Sequence, residues 1–195
     1  QIHAKLGNYP YHLYSVPPSS LHDFMVRSDF RGLNVTIPYK KDVLPYLDTL
    51  SDRASQIGSV NTIVKLPDGR LAGDNTDYFG FSHLAESAGI SFKDRIVLIL
   101  GSGGTCATAK AVAQDEGARS VRVVSRTGEL NYQTVHERCP DAQIIVNTTP
   151  VGMSPNNDQS PIDLARFPAL CGVIDVIYNP LTTRLLAQAQ ALHVP

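Results

Sequence analysis

Residues 96–113, IVLILGSGGTCATAKAVA, carry the sharpest change of pattern in the chain: an unbroken apolar run meets three glycines and passes straight into an alanine-rich stretch. A continuous apolar run closed by glycines suits a strand buried on both faces, so the pattern predicts strand, tight turn and helix start. Residues 120–125 (SVRVVS), 143–147 (QIIVN) and 172–177 (GVIDVI) predict three more strands, and runs of this kind belong to parallel sheets covered on both sides. Between the last two lies a long polar loop containing Pro150, Gly152 and residues 155–161. In residues 182–192 (TTRLLAQAQAL), Leu185, Leu186, Ala189 and Leu192 recur at helical spacing, which predicts a core-facing helix.

The first half of the chain alternates instead. In residues 32–37 (GLNVTI), Asn34 and Thr36 fall on one side and Val35 and Ile37 on the other, and Pro38 ends the ladder because it has no N–H to donate. Residues 60–65 (VNTIVK) and 70–73 (RLAG) flank Asp68 and Gly69, a hairpin signal. Residues 11–16 (YHLYSV) form a further strand candidate, 17–20 a helix start with Ser19 or Ser20 as cap, and 21–27 a short amphipathic helix. Residues 42–58 read as helix, short loop and helix, and 78–89 as a helix leading into the glycine turn, with Asp74, Asn75 or Thr76 available to cap it. Residues 1–6 read as the end of a helix already under way, stopped by Gly7 and Asn8, so residues are expected to be missing before Gln1.

Composition changes the picture by exclusion. With 195 residues and 43% apolar content, the chain has material for one large domain or two small ones. A net charge of −1 with both signs interspersed speaks against a nucleic-acid or anionic-membrane partner. No apolar run approaches the roughly 18 residues that span a bilayer. Cys106, Cys139 and Cys171 are widely spaced and lack CxxC or Cys/His ligand spacing, so neither a disulfide framework nor a structural zinc is expected, and a reducing cytoplasm is the simplest home. The six His are scattered, and no metal site is proposed.

The glycine turn has the chemistry of a phosphate cradle. Glycines let the backbone adopt positive φ and admit a ligand to the main chain, and a helix start presents free N–H groups to an anion. Gly101 and Gly103 occupy the first two places of G-x-G-x-x-G, Gly104 follows, and the small Cys106 takes the third place. At the end of the next strand stand Ser125, Arg126 and Thr127, where NAD-binding units carry an acid. A guanidinium among hydroxyls suits a 2′-phosphate, which favours NADP, while Glu129 nearby keeps NAD open. Lys40 sits at the exit of the 32–37 strand, an edge where clefts of α/β sheets open.

The strings NVTIPYK, SVNT, GDNTD, GSGG, SRT, VNTTPVGM and DVIYNP occur in this order over nearly the whole chain, which thereby resembles the shikimate dehydrogenase family, including its quinate/shikimate relatives. The resemblance implies an α/β fold: an N-terminal α/β substrate domain, residues 1–80, and a Rossmann-like, doubly wound parallel-sheet domain for the dinucleotide, residues 81–195. It implies reversible NADP-dependent oxidation of shikimate to 3-dehydroshikimate, a step of aromatic amino acid biosynthesis, by a monomer or homodimer whose partner is a small molecule. Lys40 matches the catalytic Lys and Asp77 its partner. Thr36 and Asn61 match positions that bind substrate hydroxyls, and Tyr178 a residue near nicotinamide and substrate. Gly101, Gly103 and Gly104 match the pyrophosphate turn, Arg126 and Thr127 the 2′-phosphate site, and Asn147, Thr148 and Met153 the strand-end loop beside the cofactor.

Departures from the family pattern are as plain. The Ser-x-Ser segment for the substrate carboxylate, the distal Gln and the final returning helix are not in this sequence, and Ala107 stands where many members carry a basic residue. Both ends are therefore expected to be missing from the chain. Independently of the family, oxidising a secondary alcohol needs a titratable group within reach of the hydroxyl and a nearby charge to set its pKa. Lys40 and Asp77 can form that couple, burial lowering and the carboxylate raising the amine's pKa. A quinate-preferring or NAD-using relative and a non-catalytic dinucleotide sensor are the alternatives.

Overall fold

Two four-stranded sheets organise the described residues of the computed structural model, which are 3, 5, 7–27 and 29–195. The helix end expected over residues 1–6 falls largely outside them.

In the first sheet, strands β1 (Gly32–Asn34), β3 (Thr62–Lys65) and β4 (Leu71–Asp74) run antiparallel, and β2 (Thr49–Leu50) lies parallel to β4. Gly69, at φ +89°, closes the β3–β4 hairpin in the way its Asp-Gly pair predicts, with Leu66 N donating to Arg70 O at 2.8 Å. Beneath it Leu21, Met25, Val43, Ala54, Val60 and Ile63 form a small core. Leu21 and Met25 come from helix α1 (Leu21–Arg27), Ala54 from α2 (Asp52–Ile57). Ser51 Oγ caps α2 by accepting from Ala54 N at 3.1 Å.

Several expectations for this half are corrected. Residues 11–16 are not a strand: among the described residues their hydrogen bonds to the sheet region are two, Tyr11 Oη to Asn34 and Tyr39 Oη to Val16 O, and alternation cannot make a ladder without a neighbour to pair. Neither Ser19 nor Ser20 caps α1, which is entered through a 3₁₀ turn at Pro18–Ser20. The strand at 32–37 stops at Asn34, and the chain then folds into turns over residues 37–43, leaving Ile37 exposed. The helix expected after residue 42 is a 3₁₀ turn at Leu44–Tyr46, with Pro45 in its first turn; it ends where Leu47 becomes extended (φ −100°, ψ 133°) and leads into β2.

The second sheet is wholly parallel, in the order β6 (Ser120–Val124), β5 (Ile96–Leu100), β7 (Ile144–Asn147), β8 (Gly172–Asp175). Along β5, Val97 and Ile99 enter one core with Val112 of helix α4 (Gly104–Asp115) and Phe81 of α3 (Asp77–Ser87). Leu98 and Leu100 enter another with Val135 of α5 (Val135–Arg138) and Leu185 of α6 (Arg184–Ala191). All four are fully buried, each stabilising the fold by about 1.5–3 kcal/mol over exposure. Leu192, expected in the core, is 42% exposed because α6 ends at Ala191.

The strand order reverses between β5 and β7, and at such a switch point the loops from the two carboxyl ends part and leave a crevice. Helix α3 joins the halves: Asp77 begins it beside the first sheet, while Phe81 and Ala85 pack into the second. Position 80 lies within this helix.

Candidate functional site

A cleft of about 1340 Å³ runs along that crevice, lined on one side by Thr36, Lys40, Thr76 and Asp77 and on the other by the glycine turn and the loops after β6, β7 and β8. Lys40 is held there by the turns over residues 37–43. Tyr39 N donates to Thr36 O at 2.9 Å and Val60 N to Lys40 O at 2.8 Å, fixing the backbone on both sides of the side chain. Lys40 Nζ then donates to Asp77 Oδ2 at 2.6 Å, with the lysine side chain 13% and the aspartate 38% exposed. The couple is thus sheltered yet open to a ligand on the carboxylate side.

Asp77 reaches the cleft because it begins α3, and that start is set by Asn61. Asn61 Oδ1 accepts from Thr76 N at 2.9 Å and its Nδ2 donates to Thr76 Oγ1 at 3.0 Å. The capping expected from Asp74, Asn75 or Thr76 does not occur: Asp74 accepts from Ser51 Oγ at 2.5 Å, Asn75 turns into the interior, and Thr76 makes no side-chain cap. Of the expected substrate residues, Thr36 lines the cleft, Tyr178 lines it while 84% exposed, and Asn61 stands behind Thr76.

The glycine turn is a tight cradle. Gly101 has φ +108°, and a Cβ there would lie 2.8 Å from Thr148 Oγ1. A Cβ on Gly104 would come within 3.0 Å of Lys40 Cβ and 2.7 Å of Ser59 Oγ. Gly104 therefore lets the two halves of the cleft touch, a role its place in a phosphate motif does not reveal. Gly103 caps α4 without a side chain, so the helix start offers its N–H groups to an anion. Arg126 lines the far end with Ser125 and Tyr132 and makes no ion pair among the described residues, while Thr127 is exposed outside the lining. Burial pushes the Tyr132 phenol up, partly opposed by the Arg126 charge. Free helix amides, a cradle that only glycine fits and an unpaired guanidinium together suit a dinucleotide with a 2′-phosphate.

Thr148 and Met153 line the cleft, but Asn147 does not. Its side chain is fully buried, accepting from Thr149 N and Oγ1 (3.0 and 2.7 Å) and donating to Asp175 Oδ1 (3.1 Å). It shapes the loop rather than meeting a ligand. Asp175, at the end of β8, escaped the sequence reading, although an acid in the final place of a buried strand is an anomaly that could have marked it. Thr183 Oγ1 (2.7 Å), Ile177 N (3.1 Å) and Asn147 Nδ2 all donate to it. Burial nevertheless raises its carboxyl above the ordinary range, those bonds opposing the rise. Among the described residues no group of His, Cys, Asp and Glu is placed to hold a metal, and no helix is long and apolar enough to cross a membrane.

Comparison with known proteins agrees with this geometry. The shikimate dehydrogenase substrate binding domain matches residues 2–63. A shikimate dehydrogenase (NADP(+)) of Clostridium beijerinckii is 39% identical over 166 residues, covering 80% of this chain and 61% of its own. One from Methylobacterium radiotolerans is 38% identical over 213 residues, covering 97% of this chain and 74% of its own. Among solved structures, a chorismate mutase/shikimate 5-dehydrogenase fusion protein from Clostridium acetobutylicum superposes with TM-score 0.85 at 32% identity, over 99% of this chain and 75% of that one.

Proposed function

This chain belongs to the shikimate dehydrogenase family, and we propose that it performs the reversible, NADP-dependent oxidation of shikimate to 3-dehydroshikimate. The observation that carries the reading is the Lys40–Asp77 couple, closed at 2.6 Å on the cleft wall opposite the glycine turn. Residues 1–80 form the substrate side and 81–195 the cofactor side, α3 crossing between them.

Thr36 and Tyr178 meet the substrate from the lining of the cleft, and Asn61, with one amide N–H on Thr76, keeps its second for a substrate hydroxyl. Lys40 Nζ takes the proton of the hydroxyl being oxidised and returns it in the reverse direction. Asp77 orients the amine and shares the contact to that hydroxyl. Gly101, Gly103 and Gly104 cradle the pyrophosphate, Arg126 and Thr127 hold the 2′-phosphate, and Thr148 and Met153 line the nicotinamide end, with Asn147 shaping their loop. Bound NADP supplies the acceptor for the hydride that leaves the ring carbon.

The test is the appearance of reduced-nicotinamide absorbance on mixing the protein with shikimate and NADP, beside parallel reactions with quinate and with NAD. The fastest turnover is expected with shikimate and NADP. Faster turnover with quinate or NAD would reassign the preference, and NADP binding with no turnover of either substrate would mark a dinucleotide sensor instead.

A further inference from the structure

Asn75 is fully buried where the two halves of the chain meet, and its side chain joins them. Nδ2 donates to Ser59 O at 2.8 Å in the first half and to Thr108 Oγ1 at 3.2 Å on α4 in the second. Only one orientation of the amide satisfies both. The Ser59 carbonyl can only accept, and Thr108 Oγ1 already donates to Gly104 O at 3.2 Å, so each needs an N–H.

Each end of this link leads to a working part of the cleft. Asn75 stands two residues before Asp77. Ser59 precedes Val60, whose N–H holds the Lys40 carbonyl. Thr108 is bonded to Gly104, the residue whose missing side chain lets Lys40 lie against the glycine turn.

The network is poorly built for stability alone. Asn75 Oδ1 and Ser59 Oγ are both buried and have no hydrogen-bond partner among the described residues, a cost that an apolar filling of the same shape would avoid. A polar side chain kept under those terms has its use in fixing geometry. Resting on the reading that Lys40 and Asp77 act on the substrate hydroxyl, we propose that Asn75 is a positioning residue, a latch that sets the approach of the Lys40–Asp77 couple to the glycine turn and so governs the chemical step without touching either ligand.

The test compares Asn75→Ala, Thr108→Val and the double variant with the parent protein by kcat and KM for shikimate, direct NADPH binding and thermal unfolding. Misplacing reacting groups by about an ångström costs on the order of a hundredfold in rate. Each single variant is therefore expected to lose kcat on that scale while KM and NADPH affinity change little. The double variant should be no slower than the worse single, since both substitutions cut one link. Unchanged kcat with only a lowered unfolding temperature would overturn the proposal, as would losses that simply add. A parent protein that binds NADPH but turns over no shikimate would refute the functional reading instead. Amide hydrogen exchange then decides the latch by itself: Asn75→Ala should speed exchange at Val60 and in the first turns of α4 together, and unaltered exchange there would sink it.

Discussion

Lys40 and Asp77 are 37 positions apart in the chain and 2.6 Å apart in space, and neither would serve alone. An amine this sheltered is aimed by the carboxylate it donates to, and a carboxylate at a helix start is favoured by the helix dipole. Asp175 is the other acid of the cleft, and its environment makes a pH signature. Because burial raises its folded pKa above the ordinary 3.8, the folded chain holds that proton more tightly than the unfolded chain. The stability it contributes is fully present below pH 3.8 and is lost as the pH rises through its raised value. Thermal unfolding followed against pH should show the parent losing stability over that window relative to Asp175→Asn, and a difference that stays constant with pH would contradict this. At this scale the sequence marked the glycines and Arg126 through their local chemistry, and Lys40 and Asp77 through the strings NVTIPYK and GDNTD in which they stand. It did not mark Asp175, it marked Asn75 only as a cap, and it missed the inward turn of Asn147, because each is defined by partners that come from distant segments.

The glycine turn between β5 and α4 is the element to which the proposed function assigns the cofactor. Gly101→Ala would place a side chain at φ +108°, about 1–2 kcal/mol of backbone strain, and set its Cβ 2.8 Å from Thr148 Oγ1. The expected result is a raised KM for NADP with a lowered unfolding temperature, read by steady-state kinetics and thermal scans; an unchanged KM would mean that the turn does not cradle the pyrophosphate. The central strands β5 and β7 were legible because each is buried on both faces and needs an unbroken apolar run, whereas the half-buried edge strand β6, which carries Arg122, was legible through its valines. The first half was less legible. Residues 11–16 alternate like a strand yet have no ladder, and β2, only two residues long, exists through its pairing with β4. Pairing is a property of two segments, so one segment's pattern cannot establish it.

Across the whole molecule, the proposed function divides substrate chemistry and cofactor binding between two halves. The first sheet and its turns place Lys40, the second sheet places the glycine cradle, and the halves meet through α3, Gly104 and the buried Asn75. The order of the two halves was legible because each carries its own strings in sequence, whereas their mutual fit was not, since it rests on the close approach of Gly104 to Lys40. That division separates binding from chemistry. Lys40→Met keeps the Cβ that lies against Gly104 and removes the amine, so it should leave NADPH affinity intact while slowing hydride transfer. The most direct measurement is the single-turnover rate of NADP reduction by saturating shikimate in Lys40→Met against the parent, with NADPH binding measured on both. A fall of about a hundredfold or more, the scale of a lost acid–base group, with unchanged NADPH binding is the predicted result; an undiminished single-turnover rate would contradict it.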